Sequence, residues 1–110
     1  MIANQARFGK LQSALEEIGI TGITVTSVQG YGQQKGNTEY YRGAPVESKL
    51  LPKVKVDVVV SKIPTELLVG TVQKALHTGN IGDGKIFIYD VEDVVKVRTG
   101  ESGYAALQDE

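Results

Sequence analysis

Two parts of the chain repeat the same order of local patterns, and this repeat constrains the fold more than any other feature. The segment ALEEIGITGITVTSV begins at Ala14, and the segment ALHTGNIGDGKIFIYDV begins at Ala75. Each contains a helix end, a glycine-containing loop and an apolar strand. With a short first strand from Met1 to Asn4 and a further strand in LPKVKVDVVV, the element order becomes βαββαβ. That order predicts an α+β fold, a ferredoxin-like sandwich with both helices on one face of an antiparallel sheet.

The spacing of apolar residues predicts where the two helices lie. In each helix the apolar residues recur at intervals of three and four, which is one face of an α-helix. The first helix ends at Gly19, a favourable C-cap residue, and the second has Pro64 in its first turn. The apolar faces consist of Phe8, Leu11, Leu15 and Ile18 in the first helix and of Leu68, Val72, Ala75 and Leu76 in the second.

Alternating residues predict a strand over LPKVKVDVVV, with four valines on one side. Lys55, Asp57 and Val59 lie on the other side, where little of the chain is left to cover them. A half-apolar sheet face of this kind is usually buried by another subunit, so we expect an oligomer. The segments KIFIYD and VVKVRT predict two final short strands. In the second of these, Lys96 and Arg98 are two residues apart, which predicts that both side chains point to one face of the strand. Two cations on one face could bind an anion at a subunit boundary. The alternative is a strand edge exposed to solvent.

A segment of about 20 residues, YGQQKGNTEYYRGAPVESKL, shows no periodicity, and loops of that length in a compact domain are usually functional. It carries Tyr40, Tyr41 and Arg42, and aromatic residues and arginine are enriched at protein interfaces. We predict that these three residues contact a partner protein. A disordered surface insertion is the alternative.

The segment TGNIGDGKIFIYD contains most of a phosphate-binding loop, G-x-x-x-x-G-K-[ST]. Gly79, Gly84 and Lys85 match that pattern, but Ile86 stands where a hydroxyl residue should be. The order is also reversed, because the loop follows a helix and precedes a strand. These two differences exclude a P-loop NTPase. An ordinary glycine-rich connection and a nest of backbone N–H groups that binds an anion both remain open.

Composition excludes several classes of function. A net charge of −1 and a pI near 5.8 leave no basic field for nucleic acid. The chain has no cysteine and one histidine, so it lacks thiolate and multi-histidine metal sites. No apolar run approaches the ~20 residues of a membrane span, and the first residues lack the apolar core of a signal peptide. We therefore expect a cytoplasmic protein with no direct membrane insertion.

Together these segments resemble the PII family of nitrogen-regulatory signal-transduction proteins, from about residue 11 to residue 103. TGNIGDGKIF resembles the family's B-loop, ITGITVTSVQGYGQQKGNTEYYRGA the strand entering its T-loop, LPKVKVDVVV the strand leaving it, and VRTGESG the C-loop. The resemblance implies one PII-like domain over residues 1–110, a flexible T-loop at about 32–50, and a homotrimer. It further implies a regulator, not an enzyme. Such a protein controls a transporter or metabolic enzyme of nitrogen metabolism through the T-loop, and a transporter partner would recruit it to the membrane.

In this family ATP and ADP compete for clefts between subunits, and the resemblance implies the same sites here. The implied nucleotide contacts are Thr24 and Val59 at the adenine, Gly32, Gln33 and Gln34 near the phosphates, Gly82, Asp83, Gly84 and Lys85 around them, and Lys96, Val97 and Arg98 from the adjacent subunit.

The resemblance also implies a magnesium ion held by Gln34 together with ATP, and 2-oxoglutarate held by Gln34 and Lys53. Gln33 and Asn4 stand where the family usually has basic residues. Because 2-oxoglutarate carries two negative charges, these changes predict that it binds weakly or not at all.

Two T-loop positions that carry modifications in other members lack a hydroxyl group. Val46 stands where enteric-type members have a tyrosine, and Ala44 where some cyanobacterial members have a serine. We therefore predict no uridylylation at the T-loop apex.

Two other functions occur on the same fold. An acylphosphatase-like hydrolase would need a phosphate loop directly after the first strand, and the residues from Asn4 to Arg7 are a poor substitute for one. An RNA-binding module would use exposed aromatic residues such as Phe87 and Tyr89, but the low pI opposes that function.

Overall fold

A computed structural model of the protein describes residues 1–31, 39–41, 44–46 and 50–108, with the backbone alone described at 39–41 and 44–46. Ten short elements follow one another in this part of the chain. They are β1 (Ile2–Asn4), a 3-10 turn (Gln5–Arg7), α1 (Phe8–Glu17), β2 (Thr24–Tyr31), β3 (Glu39–Tyr41), β4 (Ala44–Val46), β5 (Leu50–Asp57), α2 (Thr65–Leu76), β6 (Gly84–Lys85) and a second 3-10 turn (Gly103–Leu107).

The main sheet has four antiparallel strands in the order β2-β5-β1-β6. The short strand β1 lies between β5 and β6, with Ala3 opposite both Val54 and Gly84. Strand β5 pairs with β2 along its whole length, from Thr24 opposite Asp57 to Tyr31 opposite Leu50. This arrangement confirms the predicted ferredoxin-like α+β fold.

Both helices form where the apolar spacing predicts them. Helix α1 is followed by Gly19, whose φ of 90° lies in the left-handed region that favours glycine at a helix end. Helix α2 begins at Thr65, directly after Pro64, which has an extended conformation at the N-cap. The glycine within α2, Gly70, is exposed, and an added Cβ there would meet nothing within 4 Å.

The core lies between the two helices and one face of the sheet. Each fully buried leucine or valine stabilises the fold by roughly 1.5–3 kcal/mol relative to leaving it exposed. The buried apolar residues are Ala3, Leu11, Leu15, Ile20, Val54, Val56, Val72, Ala75 and Leu76. The opposite face of the sheet, which we call the open face, carries the exposed residues Lys55 and Asp57, as the alternation in β5 predicts.

Strand pairing is less extensive than the sequence patterns predict. In KIFIYD only Lys85, with Gly84 before it, pairs in the sheet, and β5 ends at Asp57 although the alternation continues to Val60. The pairing of β1 with β5 and with β6 ends at Met1 and Ile2, where β1 begins. The strand predicted over LPKVKVDVVV is therefore confirmed for all but its last three residues.

The prediction of a strand over VVKVRT is wrong. Within it only Val95 pairs, in a single bridge to Ser102, and residues 97–99 form a turn. Gly100 has a φ of 77°, which reverses the chain, and Gly100 N donates to Lys96 O at 2.7 Å. Because the period of two does not apply to a turn, Lys96 and Arg98 do not share a face: Lys96 is 8% exposed and Arg98 is exposed.

Part of the segment predicted to lack periodicity forms a separate two-stranded sheet, β3 with β4, in which Tyr40 lies opposite Pro45. Strands of three residues are too short to leave an alternation in the sequence. Of the other residues of the predicted T-loop, Leu50 begins β5, and residues 32–38, 42–43 and 47–49 lie outside the described ranges.

Candidate functional site

The connection from α2 to β6, residues 77–85, is the glycine loop, and the carboxylate of Asp83 organises it. Asp83 Oδ2 accepts hydrogen bonds from Thr78 N at 2.8 Å and from Gly79 N at 2.9 Å, and Oδ1 accepts one from the Thr78 hydroxyl. His77 Nδ1 lies 3.9 Å from Asp83 Oδ2. The hydrogen bonds from Thr78, and then the one from Gly79, lower the pKa of Asp83 below its usual value. Asp83 is therefore a positioning residue that points into its own loop.

Positive φ angles explain the glycine content of this loop. Gly79, Gly82 and Gly84 have φ values of 87°, 106° and 111°. At Gly84 an added Cβ would come within 2.2 Å of the carbonyl oxygen of Ile2, so only glycine lets β6 lie against β1. The need for an unusual backbone conformation thus accounts for all three residues.

A lysine of the sheet holds the loop from the other side. Lys53 Nζ donates to Gly82 O at 3.0 Å. Lys53 lies on β5 opposite Asn4 of β1 and Val28 of β2, near the centre of the sheet. The glycine loop is therefore attached to the sheet by a charged side chain as well as by the β6 backbone.

Several predicted site residues share the open face of the sheet. Residues directly opposite each other on paired strands point to the same side, and residues two apart on one strand do so as well. Thr24 is opposite Asp57, and Lys85 is opposite Ile2, which in turn is opposite Lys55. Thr24, Lys53 and Lys85 consequently lie on one face. Val59 lies two residues past Asp57, the last residue of β5, and is 46% exposed.

The open face thus presents three lysines close to the glycine loop. Lys55 on β5 and Lys85 on β6 lie on either side of Ile2, each directly opposite it. Lys53 lies two residues before Lys55 on β5, opposite Asn4. Lys55 and Lys85 are exposed, and Lys53 is half-buried because it reaches the loop. A cluster of cations next to backbone N–H groups is suited to an anion such as a phosphate.

The residues predicted to reach the nucleotide from a neighbouring subunit lie in the turn after Val95. Lys96 Nζ is 3.9 Å from Glu101 Oε1, and its side chain is 7% exposed. Val97 is 99% exposed and Arg98 is exposed, so the tip of this turn is available to a neighbouring molecule. The hydrogen bond from Lys96 N to Glu101 O closes the turn.

Other predicted site residues lie outside what the structure describes. Gly32, Gln33, Gln34 and Arg42 fall outside the described ranges, as do the side chains of Tyr40 and Tyr41. In the part of the chain that is described, no group of three or more His, Asp or Glu side chains is placed to hold a metal ion. Neither helix there has the length and apolar content to cross a membrane.

The sequence patterns missed two residues that shape this region. Thr78 supplies a hydroxyl and an amide to Asp83, and only the spacing of an Asp five residues after a Thr at a helix end could have indicated it. Arg7 donates from its guanidinium to Ala75 O at 3.0 Å, near the C-terminus of α2, where carbonyl groups lack helical partners. No local pattern indicates that contact, because the two residues are far apart in the sequence.

The strand order, the hairpin inserted between β2 and β5 and the glycine loop before β6 define the class of protein: a ferredoxin-like α+β domain with a long insertion between its second and third core strands. The family model described as nitrogen regulatory protein P-II matches residues 1–101. The chain belongs to this family of signal-transduction regulators.

Individual relatives agree with this assignment. The nitrogen regulatory protein P-II of Azospirillum brasilense is 50% identical over 101 residues, covering 92% of this chain and 90% of the relative. P-II 1 of Escherichia coli K12 is 50% identical over 97 residues, covering 88% and 87%.

Solved structures show the same fold. The structure of B. subtilis GlnK has a TM-score of 0.78 and 40% identity, covering 96% of this chain and 92% of GlnK. A GlnK–ATP complex from the same organism also has a TM-score of 0.78, with 37% identity and coverage of 96% and 89%. These comparisons confirm the predicted family and fold and give no support to an acylphosphatase-like hydrolase.

Proposed function

We propose that this P-II protein binds ATP and ADP in three clefts between the subunits of a homotrimer. Through its T-loop it then reports the bound nucleotide to a transporter or metabolic enzyme of nitrogen metabolism. The observation that carries the proposal is the position of the glycine loop, which Lys53 attaches to an open sheet face bearing Lys55 and Lys85. The similarity to a GlnK–ATP complex supports the same ligand class.

The phosphates would lie against the backbone of residues 82–85 and near the ammonium group of Lys85. Backbone N–H groups and a lysine together bind a phosphate without any covalent chemistry. Asp83 would not repel the phosphates strongly, since its carboxylate is directed toward the amides of Thr78 and Gly79. Thr24 and Val59, at the opposite edge of the sheet, would contact the adenine of a nucleotide in a cleft whose other wall is a neighbouring subunit.

The neighbouring subunit would contribute Lys96, Val97 and Arg98. Arg98 and Val97 are exposed at the tip of their turn, which suits a contact between subunits. Magnesium, when present, would be held by the ATP phosphates and Gln34. The magnesium ion would neutralise part of the phosphate charge.

The open face supports the homotrimer. Lys55 and Asp57 on this face are exposed and Ile2 is half-buried, and Val59, just past the end of β5, is 46% exposed. Light scattering at micromolar concentration should give three times the chain mass of 11.8 kDa. A particle with the mass of one chain would refute the inter-subunit clefts.

Calorimetric titration of ATP and of ADP tests the nucleotide site directly. Lys85→Ala should weaken both ligands, because losing one charge-assisted hydrogen bond costs about 1.5–3 kcal/mol, or about tenfold or more in affinity. Lys10→Ala is the matched control, since Lys10 is an exposed lysine on α1. Equal affinities in the two variants would remove Lys85 from the site.

The T-loop would then contact the partner through Tyr40, Tyr41 and Arg42, and a transporter partner would bring the protein to the membrane. Capture of partners from cell extract in the presence of ATP and again in the presence of ADP tests this step. We expect a partner whose retention differs between the two nucleotides. A steady-state assay should detect no turnover of ATP beyond a protein-free control, as a regulator without catalytic groups requires.

A further inference from the structure

Glu101 is fixed within the turn of residues 95–102 by both its backbone and its side chain. Its carbonyl oxygen accepts a hydrogen bond from Lys96 N at 2.8 Å. Its carboxylate oxygen Oε1 accepts one from the hydroxyl of Thr99 at 2.9 Å, and Glu101 N donates to Thr99 Oγ1 at 3.2 Å. The position of this carboxylate is therefore determined by the turn itself.

The side chain of Lys96 lies back against the same turn. Its Nζ is 3.9 Å from Glu101 Oε1, the oxygen that also accepts from Thr99. The Lys96 side chain is only 7% exposed, whereas Val97 and Arg98 are exposed at the tip of the turn. Glu101 is thus one of the groups that hold this lysine, and little of the lysine side chain is open to a ligand.

We propose that Glu101 competes with the nucleotide phosphates for Lys96 and so lowers the affinity of the cleft for nucleotide. This inference rests on the proposed function, in which Lys96 reaches the phosphates from the adjacent subunit. A carboxylate and a phosphate are the same kind of partner for an ammonium group, because both offer anionic oxygen acceptors. Binding must either exchange one for the other or place both beside one cation. In either case Glu101 opposes the phosphate, by competition or by like-charge repulsion.

The burial of Lys96 decides between this role and its opposite. A glutamate that positioned the lysine for phosphate would hold the ammonium group where a ligand could reach it from the exposed tip. Removing such a glutamate would weaken nucleotide binding. The Lys96 side chain is instead nearly covered beside Glu101, so the lysine must leave this position before it contacts a phosphate of the neighbouring cleft. Removing the charge of Glu101 should therefore strengthen binding.

Calorimetric titration of ATP and of ADP into Glu101→Gln tests the competition. Glutamine keeps the length of the side chain and an oxygen that accepts from Thr99, but it removes the charge. We expect both nucleotides to bind about three- to fivefold more tightly than they bind to the parent, in the upper range for a partly exposed ion pair. Glu92→Gln is the matched control, since Glu92 is an exposed glutamate that precedes the turn. The control should leave both affinities unchanged.

A second comparison separates competition at Lys96 from a general effect of charge. In a Lys96→Met background, Glu101→Gln should no longer change either affinity, because the contested ammonium group is gone. Three results would each overturn the proposal: unchanged or weaker binding by Glu101→Gln, an equal gain in Glu92→Gln, or an undiminished gain in the Lys96→Met background. A parent protein that binds neither nucleotide would overturn the proposed function itself, and this inference with it.

Discussion

The side-chain nitrogen of Lys53 lies 3.0 Å from the carbonyl oxygen of Gly82, 29 residues further along the chain. Lys53 also packs beneath the end of β2, where an added Cβ on Gly30 would come within 3.1 Å of its Cγ atom. One side chain therefore connects the strand that enters the predicted T-loop with the glycine loop.

Replacing Lys53 should loosen the glycine loop. Lys53→Met keeps most of the side-chain length but removes the donor to Gly82, and we expect a loss of about 1 kcal/mol in the free energy of unfolding. Lys55→Met is the matched control, because Lys55 is exposed on the same strand and the same face. Urea unfolding measures both variants. Equal losses would show that the bond to Gly82 contributes nothing to stability.

Two glycines should respond in opposite directions to alanine. Gly84→Ala places a Cβ within 2.2 Å of Ile2 O at a φ of 111°, so we expect a loss of about 3 kcal/mol or more. Gly70→Ala adds a methyl group in an exposed helix position with open space, and it should stabilise the protein by about 0.5–1 kcal/mol. Chemical denaturation of both variants checks the signs. A Gly84→Ala protein as stable as the parent would contradict the close approach of β6 to β1.

The glycine loop should weaken in acid. Hydrogen bonds from Thr78 and Gly79 lower the pKa of Asp83 below its ordinary value of 3.8. A carboxyl group whose pKa is lowered by folding stabilises the protein above its unfolded pKa, and that contribution is lost as the pH falls through the folded pKa. Below about pH 4 the parent should therefore lose more stability than Asp83→Asn.

Unfolding in urea at pH 7 and again at pH 3 measures that difference. Asp90→Asn is a suitable control, because it removes an exposed aspartate and leaves the contacts of Asp83 intact. If Asp83→Asn and Asp90→Asn show the same decline with acid, the carboxylate of Asp83 does not hold the loop.

2-Oxoglutarate should bind weakly or not at all to protein saturated with MgATP. Its two negative charges would approach a triphosphate, and at short range this repulsion amounts to several kcal/mol even at an effective dielectric near 20. Lys53 already donates to Gly82, and Asn4 Oδ1 accepts a hydrogen bond from Ala6 N at 3.1 Å, so Asn4 supplies no cation. Calorimetric titration checks this expectation. Micromolar binding would show that Gln34 and Lys53 suffice.

Elements with a local period could be predicted from the sequence. Leu11 and Leu15 repeat at the helical interval and are buried, and Val54 and Val56 alternate along β5 and are buried. Gly19, which was predicted to end α1, lies two residues after Glu17 and has a φ of 90°. Each of these predictions depends on residues a few positions apart, so the chain itself carries the signal. VVKVRT also alternates, but the turn around Gly100 overrides that pattern, and the prediction was wrong.

Tertiary structure alone decided the relations between distant segments. Three such relations are the place of β1 between β5 and β6, the bond from Lys53 to Gly82 and the contact of Arg7 with Ala75, which join parts of the chain with no shared local pattern. The glycine loop shows both levels: its glycines were visible in the sequence, but only the fold shows that Asp83 turns inward and that Gly84 is required by the carbonyl of Ile2. The period of the apolar residues indicates which side of a helix or strand is buried. It does not indicate which other element packs against that side, because that contact depends on the packing of distant segments of the chain.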